Sequence, residues 1–382
     1  MKWLQNTLRF ESGDKMADTS VSYKCPNCSA PLTFLPGHDK VSCEYCGAEL
    51  EISAVEDLFR NKQEMAAKTR EAQEAKWATD EAGSEWSAEE QAALKSFTCS
   101  SCGAEIVCDE NTMATECVYC GNPTMVPSRF TGMLKPDYVI PFKKTKQDAV
   151  NALKKFYEGK KLLPDTFTAN NRVEAIQPMY VPFWLFDSEV EAHANFKAEK
   201  IRVRDTASEV IRESHIYNCA RGGVMKFNKI PVDGSKKMDD TYMESIEPFD
   251  YSELVPFSAA YLTGYLADKY DVDADSSVPR ADKRVEQSAL NVLASSVQGF
   301  DAFEEESHAV IKNKGEVTYA MVPVWILTTR YEDKPYTFMM NGQTGKVVGS
   351  LPYDSKKAFM YPAFCTLVLI PIIYFIAKMF LV

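Results

Sequence analysis

Eight cysteines follow one spacing, and the chain uses it twice. Cys25-x2-Cys28 precedes Cys43-x2-Cys46 by fourteen residues, and Cys99-x2-Cys102 precedes Cys117-x2-Cys120 by the same gap. The copies are offset by 74 positions, and Ala30/Ala104, Tyr45/Tyr119 and Gly47/Gly121 carry over with the cysteines. Each Cys-x2-Cys turn offers two thiolates from one tight loop, so each copy holds the four donors of a tetrahedral zinc site. Gly47 and Gly121 follow the last cysteine of each copy, where a positive φ lets the backbone turn under the metal. Two disulfides per unit, or a redox Cys-x2-Cys, fit less well, because a redox pair needs a βαβ context and would not come in fours. With cysteine at all eight positions, neither site keeps the open coordination position of a catalytic zinc. A unit of this size buries too little apolar surface to fold alone, so bound zinc would supply on the order of 10 kcal/mol. The sequence therefore predicts two structural Zn(2+) ions per chain.

The 382 residues leave room for a large core beyond these units. Three further cysteines remain, Cys108, Cys219 and Cys365; this odd remainder and the thiolate sites point to a reducing compartment. Cys108 takes the position of Phe34 in the other copy and reads as a small core residue. The net charge is −11, and residues 97–126 carry Glu105, Asp109, Glu110 and Glu116 with no Lys or Arg. Nucleic-acid binding normally draws on a basic patch, which this face lacks. The first twenty residues have no uninterrupted apolar run, so they read as a disordered tail rather than a signal peptide.

The elements that must position the cysteines make a multi-domain α+β chain. Two small β zinc ribbons are expected at 21–53 and 97–128, joined by a helical linker at 54–96. A larger antiparallel α+β domain at 129–355 and one transmembrane helix at 356–382 complete it. The linker carries a thin apolar stripe, Val55, Leu58, Phe59, Met65, Ala66 and Ala72, which suits a solvated spacer or a short partner-binding seam. Gly83 breaks it, and Ser87-Ala-Glu-Glu90 is a capping box opening a short helix to Lys95. In the large domain, Val139-Ile-Pro-Phe142 leads to a helix capped by Thr145, with Ala149, Val150, Leu153 and Phe156 facing inward. The apolar strand Val181-Pro-Phe-Trp-Leu-Phe186 follows. Val255-Pro-Phe257 similarly leads to a Tyr-rich helical stretch reaching Tyr270; a helix at Arg280–Val297 and the strand Val322-Pro-Val-Trp-Ile-Leu327 follow it. That order, met twice, suggests two related halves. Val190, Ala192, Ala194, Phe196 and Ala198 alternate with polar residues as a half-exposed strand, and Tyr336–Gly349 reads as a hairpin turning at Asn341–Gly345.

Between Lys357 and Lys378 lie twenty uncharged residues, enough for a helix to cross a bilayer core of about 30 Å. Pro362 falls in the first turn and Pro371 midway, both tolerated in a membrane. Lys356 and Lys357 would set that flank in the cytoplasm, making a single-pass protein whose bulk is cytoplasmic. A buried C-terminal helix of a soluble domain is the alternative. Elsewhere no catalytic constellation is visible. His38, His193, His215 and His308 are scattered, Asp187, Glu189 and Glu191 alternate along one solvated strand face, and Asn341–Lys346 lacks phosphate-loop spacing.

Several phrases are more specific as a set than any one alone: KPDYVIPF at 135–142, YVPFWLFD at 180–187, IPVDGSKKM at 230–238, AAYLTGYLADKYDV at 259–272, VPVWILTTRYE at 322–332 and FMMNGQTGKVVG at 338–349. With the ribbons, they make the chain from about Tyr23 onward resemble the YdjG-type membrane-anchored double zinc-ribbon proteins of bacteria. Members often carry TFIIB-type zinc-ribbon or primosomal-helicase-like labels, and a helicase is excluded here by the missing nucleotide-binding motif. The resemblance implies a non-enzymatic membrane platform in envelope stress, with an SPFH-domain protein and a phage-shock-type coat protein as partners. Three functions are carried forward: a membrane-anchored zinc-ribbon adaptor that recruits proteins, a nucleic-acid-binding ribbon protein of replication or transcription, and an enzyme of the α+β domain. Local acidity and an anchor weigh against the second, and no constellation supports the third.

Overall fold

The computed structural model describes residues 25–26, 30, 32–34, 40–57, 60, 77–109, 112–114, 116–128, 130, 132–170, 175–205, 209–313, 315–332 and 334–380. The tail at 1–20, Cys28, His38 and residues 61–76 of the linker lie outside the described residues. The chain divides into two compact units. One comprises Met1–Glu71, His193–Arg221 and Ser295–Ala309. It contains a three-stranded sheet of β1 (Thr33–Phe34), β2 (Lys40–Ser42) and β3 (Glu49–Glu51), antiparallel throughout, and a helical run at 52–57.

The other unit, Ala72–Ala192, Gly222–Ala294 and Val310–Val382, holds the main core. At its centre β9 (Gln177–Asp205) pairs antiparallel with β14 (Gly315–Tyr331), from Glu316↔Asp187 to Ile326↔Gln177. Where they pair, over 179–186 and 317–326, both strands are nearly continuous apolar runs because both faces are covered. Met179, Val181, Phe183 and Leu185 pack on one side with Met243 and Ile246 of the Asp240–Ile246 helix. Tyr180, Trp184 and Phe186 pack on the other with Ala281 and Val285 of the Ala274–Ser295 helix. The sheet is mixed, which corrects the antiparallel expectation: β8 (Tyr138–Val139) runs parallel to β14, and β12 (Leu266–Asp268) parallel to β9.

Two stretches differ from their expected helices. Trp77–Ala78 form a short strand, β4, parallel to β14, with Trp77 and Trp86 both buried. A Cβ on Gly315 would meet the Trp77 ring at 2.1 Å, so glycine alone admits that indole. The Ser87 capping box forms as expected, but its helix ends at Ala92 and Lys95 lies in a strand. After Phe257 only the 3-10 turn Ala259–Leu262 forms, and Gly264, at φ 79°, turns the chain into β12.

The two expected halves are present, in a different register. Val181 faces Val322, so the two Val-Pro phrases pair with each other around a local dyad. Each feature then recurs across it. β8 lies beside Ala320 and Met321; β12 lies beside Met179 and Tyr180. Trp184 Nε1 donates to Val272 O at 2.9 Å, and Trp325 Nε1 to Lys144 O at 3.0 Å. Each accepting carbonyl lies two residues before a helix, Ala274–Ser295 or Lys146–Tyr157. Gly234 N donates to Pro182 O at 2.9 Å, and Gly342 N to Pro323 O at 2.8 Å. Leu266–Val272 is thus the partner of Tyr138–Lys144, while Val255–Pro256 (β11) pairs antiparallel with β8 instead. Each tryptophan ties its own strand to the helix of the opposite half.

This symmetry can be tested by Trp184→Phe and Trp325→Phe, each of which removes one indole donor and leaves a ring. We expect each to lower unfolding free energy by roughly 1–3 kcal/mol in denaturant titrations. A measurable cost at one position and none at the other would contradict the dyad.

Candidate metal centre

Cys99, Cys102, Cys117 and Cys120 converge, with all four sulfurs within 4.8 Å of one another. Cys99 Sγ lies 3.7 Å from Cys120 Sγ, and Cys102 Sγ 3.6 Å from Cys117 Sγ. A tetrahedron with metal–sulfur bonds of about 2.3 Å has sulfur–sulfur edges of about 3.8 Å, so the set fits one four-coordinate ion. Two matched knuckles bring it about. Cys99 N donates to Ala104 O at 2.8 Å and Gly103 N to Cys99 O at 3.0 Å; Cys117 N donates to Asn122 O and Gly121 N to Cys117 O, both at 2.9 Å. Gly103 and Gly121 sit at φ 70° and 66°, which closes each turn. Burial disfavours the Cys99 thiolate, yet the backbone N–H groups of Cys102 and Ser101 and the thiols of Cys102 and Cys120 outweigh it, holding the group at about 6. Burial pushes Cys102 and Cys117 up. A divalent cation would supply the charge that lets such buried sulfurs ionise together.

The first copy repeats the geometry where it is described. Cys25, Cys43 and Cys46 cluster, with Cys25 Sγ and Cys46 Sγ 3.6 Å apart. Cys25 N donates to Ala30 O, Cys43 N to Ala48 O and Gly47 N to Cys43 O, the bonds of the second copy shifted by 74 positions. Cys28, the expected fourth ligand, lies outside the described residues.

The second ribbon is continuous with the large sheet. Its strands are β5 (Leu94–Cys99), β6 (Glu105–Asp109) and β7 (Met125–Ser128); β6 pairs with β12 through Val107↔Ala267 and Ile106↔Asp268. Side chains reinforce the joint: Lys269 Nζ meets Glu105 at 2.7 Å, Lys237 Nζ donates to Cys102 O at 2.8 Å, and Thr328 Oγ1 donates to Val118 O at 2.6 Å. Tyr119, inside the second knuckle, is half-buried with its hydroxyl 3.9 Å from Met179 Sδ, and burial raises the Asp268 carboxyl to about 7. Cys108 is buried beside it as expected, its thiol pushed up by burial to about 11 and donating to Thr112 O. Beside the second knuckle lies a groove of about 320 Å³, lined among others by Glu116, Gly121, Gln177, Thr328 and Arg330. There the pairing of β14 with β9 ends at Ile326↔Gln177, while its pairing with β15 (Lys334–Asn341) runs on to Tyr331↔Lys334.

Other sequence candidates fall elsewhere. His215 lies near Glu213, and His308 meets Glu305. Among the described residues the groups that could hold a metal are the two cysteine clusters. Asp187 is bound by Lys229 through its backbone and side chain, so that position of the strand is an ion pair. Asn341 is buried in its turn, accepting from Gln343 N and Thr344 N and donating to Ile246 O and Pro248 O. The repeat marks Tyr119 through its match to Tyr45, but nothing in the sequence singles out Asp268.

The last helix, Ser355–Phe380, is long and apolar enough over Ser355–Tyr374 to cross a membrane. Leu367, Ile370, Ile373 and Tyr374 on it are all more than half exposed.

Fold and cysteine clusters together define a mixed α+β protein in which four cysteines that could hold a metal ion are carried on strands joined to the main sheet. The chain is 33% identical over 340 residues to a Bacillus subtilis (strain 168) protein named "Uncharacterized protein YdjG", covering 88% of this chain and 92% of that one. It belongs to the YdjG family. No protein-family model matches the chain, and no solved structure matches it.

Metal analysis of the chain purified without chelator should find two zinc ions, with about one fewer in Cys99→Ser and in Cys43→Ser. The variants should differ in the main unit's stability: Cys99→Ser should lower its unfolding midpoint clearly, whereas Cys43→Ser should leave it nearly unchanged. Equal destabilisation by both would contradict the continuity of ribbon and sheet.

Proposed function

We propose that the chain is a non-enzymatic, zinc-binding adaptor, anchored in the membrane by Ser355–Tyr374 and recruiting proteins to the cytoplasmic face. The observation that carries this reading is the apolar helix standing with its described side chains exposed beyond the folded unit. In water that surface would be costly, and a bilayer is the solvent that suits it. Lys356 and Lys357 at its start support an orientation with the bulk of the chain on the cytoplasmic side. Metal-clamped ribbons offer small rigid β-surfaces for protein contact. By resemblance, the partners would be an SPFH-domain protein and a phage-shock-type protein, in envelope stress.

The experiment pairs affinity capture of partners from solubilised membranes with nucleic-acid titrations of the same full-length protein. We expect Cys99→Ser to abolish partner capture while the chain still resists carbonate extraction from membranes. Single- and double-stranded nucleic acid should show no salt-dependent binding, since the acidic second ribbon forgoes counterion release. Micromolar or tighter nucleic-acid binding with a steep salt slope, together with capture indifferent to the cysteine sites, would overturn the adaptor in favour of a nucleic-acid binder.

A further inference from the structure

The structure ties one surface loop to the first turn of the apolar helix. Asp354 N donates to Leu162 O at 2.8 Å, and Lys357 Nζ donates to Leu163 O at 2.9 Å and meets Asp165 at 2.6 Å. Residues 354 and 357 stand at the border between the folded unit and the uncharged run that begins at residue 358. Leu162, Leu163 and Asp165, bonded to both, share their height along the helix axis, because an α-helix rises only about 1.5 Å per residue. They directly follow the turn after the Lys146–Tyr157 helix.

The segment beside that border is basic, against the acidic balance of the whole chain. Over residues 154–165 and 353–357 there are six lysines against three carboxylates, in a protein of net charge −11. Lys155, Lys160 and Lys161 are exposed, as is Leu162 beside them. Tyr353, 71% exposed, sits at the same border and leads into exposed Phe359, Met360 and Tyr361. Basic groups flanked by an exposed leucine and an aromatic match the headgroup layer of an anionic bilayer, where lysine meets phosphate and tyrosine rests between water and hydrocarbon.

We propose that the Lys154–Lys161 loop, with Leu162, Tyr353 and Lys356, docks on anionic lipid headgroups of the bilayer that holds the helix. The proposal rests on reading Ser355–Tyr374 as a membrane span. Docking at a second point beside the anchor would restrict how the folded unit tilts over the membrane. The anchor supplies high local concentration, so even weak individual lysine contacts would be populated.

The test uses the full-length chain reconstituted into vesicles of phosphatidylcholine alone or with about 30 per cent phosphatidylglycerol. Hydrogen exchange is read at the amides of residues 158–163. In the anionic vesicles exchange there should slow by roughly tenfold, and the difference should shrink as salt is raised. The triple variant Lys155→Glu, Lys160→Glu, Lys161→Glu should erase the difference while keeping the wild-type metal content and unfolding midpoint. A Gln triple variant should give the same erasure without charge reversal. Equal exchange in the two vesicles, or a difference that survives in both triple variants, would overturn this proposal alone. Slowing by soluble glycerol phosphate in phosphatidylcholine vesicles would also overturn it, by showing a site for a free anion. A chain stripped from both vesicles by carbonate would overturn the membrane anchor, and this inference with it, by a distinct signature.

Discussion

Backbone N–H and C=O groups along a buried strand must all find partners, and a sheet edge left open invites unwanted pairing. The dyad at Val181 and Val322 creates two such edges, one on β8 and one on β12. β8 is covered by Val255–Pro256, a short strand ending in proline. β12 is covered by Glu105–Asp109, a strand of the second ribbon. Phe97, Ile106, Cys108 and Val118 tie that ribbon to the main core, and a metal held by its four cysteines would stabilise the same edge further. Substitutions at the cysteines should act on the fold before they act on any partner.

The same constraint separates the two ribbons, which the sequence presents as equals. Both have the Cys-x2-Cys knuckles and the same backbone bonds 74 positions apart. Among the described residues it is the second ribbon's strands that pair into the large sheet, with Lys269, Lys237 and Thr328 reaching across the joint. Tyr45 and Tyr119 make the contrast concrete: equivalent in sequence, the former is 85% exposed and the latter is half-buried with its hydroxyl beside Met179.

Much of this was legible in the sequence wherever chemistry is local. Cysteine spacing, the glycines after each knuckle, the capping boxes at Ser87 and Thr145 and the alternation from Val190 to Ala198 all act over a few residues. The duplication was visible through its Val-Pro-x-Trp phrases, because proline and tryptophan are conspicuous there. Its other half was misplaced onto Val255-Pro-Phe257, since Leu266–Val272 shares geometry with Tyr138–Lys144 but little sequence. The Trp77 strand was hidden for a related reason. Its stability comes from Gly315 and Asp282, both more than 200 residues away. Parallel pairings and the burial of Asp268 are likewise set by topology and leave no periodic trace.

Hydrogen exchange on the full-length protein, with metal bound and after chelation, tests the dependence of sheet on metal most directly. The account expects the amides of Glu105–Asp109 and Leu266–Asp268 to lose protection together when metal is removed, while those of Lys146–Tyr157 retain most of theirs. If chelation exposed only the knuckle loops and left both strands protected, the metal would be an ornament of the ribbon, and the account would be contradicted.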